Sequence, residues 1–314
     1  MNSETTNNEV CEGKDFQDIR QVRLGRTLSL QRLMKCLKNF ICPSENPRSF
    51  RDCFEVTAFV LTLLTCFSFT SADGEPLIKF EFGGKPGPYT VEQWKKDWPG
   101  CSYEDGLTEG RGELVQHRGM PWLKLQYPAG SYGSNEGGAG WRFDFGRRET
   151  VELRYQVCFG EDFDFVKGGK LPGLCGGPEI ITGGDKVNGL EGFSARVMWR
   201  KDGRGQAYVY HMNQQSKYGD EFDFPESFRF EPGKTNEIRI RVDMNKARKQ
   251  DGQLQIWVDE NLFVEKTNLQ WRKESTYGVD SILFNTFHGG GDASWAPSRD
   301  VSAKFGGFQL RLLK

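Results

Sequence analysis

Two short segments place four chemically capable side chains on one surface. FSARVMWR (193–200) and QAYVYHMN (206–213) each alternate with period two, and KDGRG between them supplies a turn. Phe193, Ala195, Val197 and Trp199, with Ala207 and Val209, form the apolar face of that hairpin. Ser194, Arg196, Tyr208 and Tyr210 then share the other face. Same-face neighbours on a strand lie roughly 7 Å apart, and paired strands roughly 5 Å apart. An arginine and two tyrosines at that spacing can surround one sugar ring. The same pattern also fits an ordinary solvent-facing sheet surface, where Tyr and Arg are common. Met198 and Arg200 continue this face and line a more distal part of any cleft. His211 falls on the opposite pleat and is assigned to the core.

Two glycine-rich segments add candidates. KGGKLPGLCGG (167–177) reads as a loop held in a particular shape, with Lys167 and Lys170 exposed on it, a weak sign of a site rim. NTFHGGGDASWAP (285–297) ends a strand at His288, passes three glycines and reaches Asp292 and Trp295. Glycine there permits close backbone approach, and Trp295 offers a surface on which a sugar can stack. A long loop with no further role is the competing reading. The chain has 3 histidines (His117, His211, His288), which argues against a His-based zinc site.

The elements that must position these residues read as strands. Alternating runs recur near 78 (IKFEF), 121 (PWLKLQY), 141 (WRFDF), 150 (TVELRYQVCF), 237 (EIRIRVDM), 253 (QLQIWV), 280 (DSILFNTF) and 305 (FGGFQLRLL), separated by turns such as EPGKTN and RKQDG. VEQWKKDW (91–98) is a candidate short helix. Many short strands in one large unit predict an all-β sandwich or jelly roll. Composition agrees: 38 Gly, 24 Phe and 8 Trp in 314 residues favour strands and tight turns. Aromatic content of 13% and a formal net charge of -1 exclude a disordered chain, and offer no electrostatic case for a nucleic-acid partner.

The chain divides near residue 72. All 8 Trp follow that point, whereas five Cys (Cys11, Cys36, Cys42, Cys53, Cys66) precede it. Residues 1–55 form a leader to which no role is assigned, expected to be disordered. Residues 56–72 carry no charge, contain AFVLTLLTCFSF and finish in Thr70-Ser71-Ala72, the pattern of a secretory signal cleaved after Ala72. Arg48 and Arg51 supply a positive flank, diluted by Asp52 and Glu55. Met34, opening MKCLKNF, is an alternative start. An uncleaved anchor or a buried core helix also fits, although a span needs about 20 residues. Residues 73–314 are expected to be one secreted domain, a monomer, meeting a membrane only if segment 56–72 stays attached. It retains Cys101, Cys158 and Cys175, which admit at most one disulfide and lack Cys-x2-Cys metal spacing.

KGGKLPGLCGG, FSARVMWR, YVYH and ILFNTFHGGGD, in that order, resemble polysaccharide lyase family 14, which contains alginate and glucuronan lyases. The resemblance covers roughly residues 75–314. It implies a jelly roll of two antiparallel sheets with a concave substrate cleft. It also implies β-elimination on 1,4-linked uronic-acid polymers without a cofactor or metal. Carried over residue by residue, the family's lysine resembles Lys170, its Ser-x-Arg pair Ser194 and Arg196, and its Tyr-x-Tyr pair Tyr208 and Tyr210. A two-residue shift would make Lys167 the working lysine. Lys167, Met198, Arg200, His288 and Trp295 are the expected substrate-binding residues. In such chemistry Arg196 grips the uronate carboxylate and Ser194 adds a hydrogen bond. Tyr208 or Tyr210 acts as base or acid if Lys170 and Arg196 lower its phenol pKa, and Lys170 is the alternative base.

Two other classes remain open. EFDFPE matches Glu-x-Asp-x-x-Glu, and Glu221 with Glu226 would be the carboxylates of a retaining glycoside hydrolase, which stand about 5 Å apart in such enzymes. Pro225 inside that motif argues for an exposed loop or edge instead. A non-catalytic carbohydrate-binding module or lectin on the same sandwich is the third reading.

Overall fold

The computed structural model describes residues 77–314. The leader (1–55), the apolar segment (56–72) and the expected cleavage after Ala72 lie outside the described residues. Among the described residues no helix is long and apolar enough to cross a membrane.

Among the described residues fifteen strands form two antiparallel sheets. The larger runs β13 (Asn261–Leu269), β12 (Gly252–Val258), β11 (Thr235–Asp243), β6 (Thr150–Phe159), β15 (Val301–Leu312), β4 (Met120–Tyr127), β3 (Gly112–His117) and β2 (Gly87–Pro88), with β1 (Leu77–Phe80) on β15. The smaller runs β10 (Asp220–Asp223), β9 (Gly205–Tyr210), β8 (Phe193–Arg200), β7 (Gly168–Gly176), β14 (Val279–His288) and β5 (Ala139–Arg148). This is the expected all-β sandwich of jelly-roll type. The expected helix is α1 (Val91–Asp97), begun by Thr90, whose hydroxyl accepts from the Gln93 N–H.

Period-two alternation decides what each sheet buries. Ile238, Ile240 and Val242 of β11 point into the core, while Glu237, Arg239 and Arg241 point out. On the facing sheet Phe193, Ala195, Val197 and Trp199 of β8 join Ala207 and Val209 of β9 in the same core. Aromatic stacking fills the middle: the Trp141 and Phe284 rings lie 3.7 Å apart and nearly parallel. The three cysteines of this domain are free thiols.

One expectation is corrected here. KGGKLPGLCGG is not an exposed loop; its residues 168–176 are β7, a central strand buried along its whole length. Its glycines serve packing rather than turning. A Cβ on Gly169 would overlap the Trp199 ring, and one on Gly173 would overlap the Ala195 carbonyl and stand 2.8 Å from Cα of Arg196. Pro172 is tolerated because the register slips there: Lys170 pairs with Met198 and Gly173 with Arg196, so three steps of β7 span two of β8. The Tyr155 hydroxyl, from the opposite sheet, donates to the Pro172 carbonyl at 2.9 Å and pins this bulge. Gly173→Ala is therefore expected to cost about 1–3 kcal/mol of stability by overpacking. Its measure is a lower midpoint in chemical unfolding.

Candidate active site

The outer face of the six-stranded sheet gathers the candidate residues by register. Arg196 pairs with Tyr208 and Ser194 with Tyr210 across β8 and β9. The bulge in β7 sets Lys170 beside Met198 on the same face. The Lys170 ammonium stands 4.7 Å from the Tyr208 ring centre, and the Arg196 guanidinium stands 5.8 Å from it. The Tyr208 and Tyr210 hydroxyls are 3.1 Å apart. Lys170 also donates to the Gly289 carbonyl at 3.1 Å, and the Phe287 ring flanks it on β14. Six residues from three strands, Lys170, Ser194, Arg196, Met198, Tyr208 and Tyr210, thus share one patch of floor.

This floor is not a solvent surface. Ser194, Arg196, Met198, Tyr208 and Tyr210 are all buried, and Lys170 is 8% exposed. A strap following β7 covers one end of it. Ser194 donates its hydroxyl proton to the Ile181 carbonyl at 2.7 Å, Arg196 donates to the Thr182 hydroxyl at 2.7 Å, and the Gly184 N–H donates to the Tyr210 hydroxyl at 2.9 Å. Ser194, expected to contact substrate, is here committed to the strap.

Burial then sorts the protonation states. Desolvation first, and the Arg196 and Arg200 charges second, bring the Lys170 ammonium down to about 7. The Tyr208 phenol moves the other way. Its burial, and its hydrogen bond to Tyr210, outweigh the pull of Arg196 and hold its pKa well above the ordinary tyrosine value. The expectation that neighbouring cations lower this phenol is thus overturned: desolvation penalises phenolate more than Arg196 favours it. Lys170 is the group that is readily neutral, and Tyr208 the group that keeps its proton.

The distal candidates fall in two places. Lys167 donates to the Ser294 hydroxyl at 2.5 Å, with its ammonium 5.9 Å from the Trp295 ring centre, while the Arg200 guanidinium stands 5.4 Å from the same ring. These three form one cationic, aromatic corner beside the floor. His288, expected beside them, lies on the core side: it is 1% exposed, its ring stacks on Phe163, and its Nε2 bonds the Asp164 carbonyl. The alternation of β14 explains this, since Phe287 pairs with Lys170 on the outer face and His288 with Gly169 on the inner one. His211 is buried against Trp271, with its Nε2 2.9 Å from the Asp220 carboxylate.

Sequence reading missed two participants, Tyr103 and Thr182, and gave a third, Glu221, a hydrolase role. Glu221 shares this face on edge strand β10, opposite Tyr208, with its carboxylate 3.9 Å from Arg200. Period-two counting along EFDF against YVY was the available signal. Tyr103 lies within the field of Arg196 and Cys175, and burial pushes its phenol up to about 12. Thr182 covers Arg196. No local pattern marks either of these, because both come from irregular segments folded over the sheet. The expected hydrolase pair does not form as such: Glu221 pairs with Arg200, and Glu226 lies in the exposed turn after Pro225. Among the described residues no group of three or more His, Cys, Asp or Glu side chains is placed to hold a metal.

A buried lysine, arginine and tyrosine pair on the outer face of a jelly roll is the equipment of a polysaccharide lyase. Residues 115–308 match the family model Polysaccharide lyase 14, and the chain belongs to that family. Among solved structures it is similar to alginate lyase Aly36B, at 23% identity over 76% of this chain and 97% of that one, with a TM-score of 0.68. It is similar to the marine PL-14 alginate lyase from Aplysia kurodai, at 26% identity over 72% of this chain and 97% of that one, with a TM-score of 0.62. Alginate lyase vAL-1 from Chlorella virus follows the same fold, at 20% identity over 73% of this chain and 98% of that one, with a TM-score of 0.60. No curated protein sequence matches the chain.

Proposed function

We propose that this protein cleaves a 1,4-linked polyuronate of the alginate type by β-elimination. The observation that carries the proposal is the pairing, on one floor, of a lysine held near neutrality with a tyrosine held protonated, beside a buried arginine. The names of the similar alginate lyases favour alginate over other polyuronates.

The chemistry distributes as follows. Neutral Lys170 takes the C5 proton through Nζ. The electron pair moves onto the C6 carboxylate, giving an enolate-like dianion. Arg196 stabilises that added charge, because its guanidinium stays protonated where an ammonium does not. The pair then forms the C4–C5 double bond and expels the 4-linked oxygen. Tyr208 donates the proton that this oxygen requires, and Tyr210, fixed by the Gly184 N–H, holds the Tyr208 hydroxyl in place. The products are a new chain end and a 4,5-unsaturated uronate. Lys167, Arg200 and Trp295 bind more distant sugar units by charge and stacking. The proposed setting is outside the cell, supported by the signal-like segment 56–72.

The test is ultraviolet absorbance of the unsaturated product on mannuronate-rich alginate, guluronate-rich alginate and glucuronan, with Tyr208→Phe and Lys170→Ala alongside. A rise on one polymer, lost in both variants, is the expected result. Binding without product would favour a carbohydrate-binding module, and new reducing ends without unsaturation would favour hydrolysis. The wild-type kcat/KM is expected to rise as pH rises through about 7, because Lys170 must first lose its proton.

A further inference from the structure

Glu221 is a charged residue on the site's face that the proposed chemistry leaves unused. A carboxylate on the floor of a polyanion site repels substrate, so its position calls for a role. Its side chain is 47% exposed and stands 3.9 Å from the Arg200 guanidinium, whose side chain is 25% exposed. That separation is an ion pair without a hydrogen bond, worth little to stability in water and easily exchanged. On its other side Arg200 lies against the Trp295 ring.

We propose that Glu221 is a positioning residue: it holds the Arg200 guanidinium against Trp295 beside the floor until a uronate carboxylate of the incoming chain takes its place. This inference rests on the polyuronate-lyase reading. An arginine parked on an exchangeable partner is already desolvated and aimed, so the incoming carboxylate replaces a carboxylate rather than ordering a free side chain. Once displaced, Glu221 still acts on the reacting centre. The charged and titratable groups facing Lys170 are Arg196 and Arg200 on β8, Tyr208 on β9 and Glu221 on β10. The Phe287 ring and the Gly289 carbonyl face it from β14 and the turn beyond. Glu221 favours the protonated form of Lys170, and both arginines oppose it. Removing the Glu221 charge therefore makes the base available at lower pH, and removing the Arg200 charge does the reverse.

The experiment measures kcat and KM against pH on alginate for the full-length wild type, Glu221→Gln, Glu221→Asp, Arg200→Gln and the double variant. Glu221→Gln is expected to raise KM several-fold, because the incoming carboxylate must then order a free Arg200 side chain, whereas a lower KM would mark Glu221 as a merely repulsive carboxylate and overturn the inference. The acidic limb of this variant moves to lower pH. Arg200→Gln raises KM and moves the limb to higher pH, the double variant returns it toward the wild-type position, and Glu221→Asp stays close to wild type. An unchanged KM and limb in Glu221→Gln overturns the inference while leaving the lyase reading standing. So does a fall in kcat together with Tm and no movement of the limb. A wild type that forms no unsaturated product on any polyuronate overturns the reading and the inference together.

Discussion

Lys170→Met is expected to abolish elimination and leave the protein at least as stable as the wild type. A general base contributes about 10²–10⁴-fold to rate, and methionine offers no proton acceptor of comparable strength. The stability side follows from burial. Lys170 is 8% exposed among two arginines and two aromatic rings, so its charged form is held there at a cost. Methionine keeps the stem and removes the charge. The sign with pH is fixed by linkage. The unfolded lysine keeps its proton up to about 10.5, whereas the folded one sheds it near 7. Wild-type stability attributable to this group is therefore lowest below pH 7 and recovers as pH rises toward 10.5. The Tm advantage of Lys170→Met is expected to be largest below pH 7 and to close above it. Calorimetry across that range, paired with product absorbance, separates a working group from a packing group. A variant that loses activity and Tm together would point to a structural lysine.

Arg196→Lys is expected to lower kcat by about 10²–10³-fold with little change in KM. Arg196 is 1% exposed, spends one nitrogen on Thr182, and leaves its Nε without a partner in the protein. That environment already strips the proton from the neighbouring lysine near neutral pH. A second lysine placed there meets the same desolvation and arrives neutral. It then offers no cation to the dianion, which carries more charge than the ground state and so loses most. Steady-state kinetics with a pH series reads this directly: the variant is expected to recover no activity on the acid side, because acid that restores the substituted ammonium also protonates Lys170.

The strands that alternate cleanly could be read from the chain. β6, β8, β9, β11 and β12 each bury one side against the opposite sheet, and the shared face of Ser194, Arg196, Tyr208 and Tyr210 follows from counting by two. β7 could not be read that way. Its glycines answer to Trp199 and Arg196 on a neighbouring strand, and its bulge breaks the count between Lys170 and Gly173. His288 was misplaced for a related reason: composition marks the segment as site-like, yet the pleat turns that one side chain inward. Protonation was the least legible feature, because the sign of the Tyr208 shift depends on how much water the strap and floor exclude.

The steric economy of β7 governs how this molecule can change. A methyl group at Gly169 or Gly173 collides with the neighbouring strand, whereas one at Gly291 in the loop before Trp295 meets nothing within 4 Å. The floor that holds Lys170 and Arg196 is thus a fixed plate, and the corner beside it is a margin open to revision. Diversification toward a different uronan is channelled to edge strand β10 and the segment 291–296, since a methyl group at Gly289 or Gly290 would overlap the Phe287 or Trp295 ring. A saturation library confined to those margins explores recognition without touching the plate on which the reaction is built.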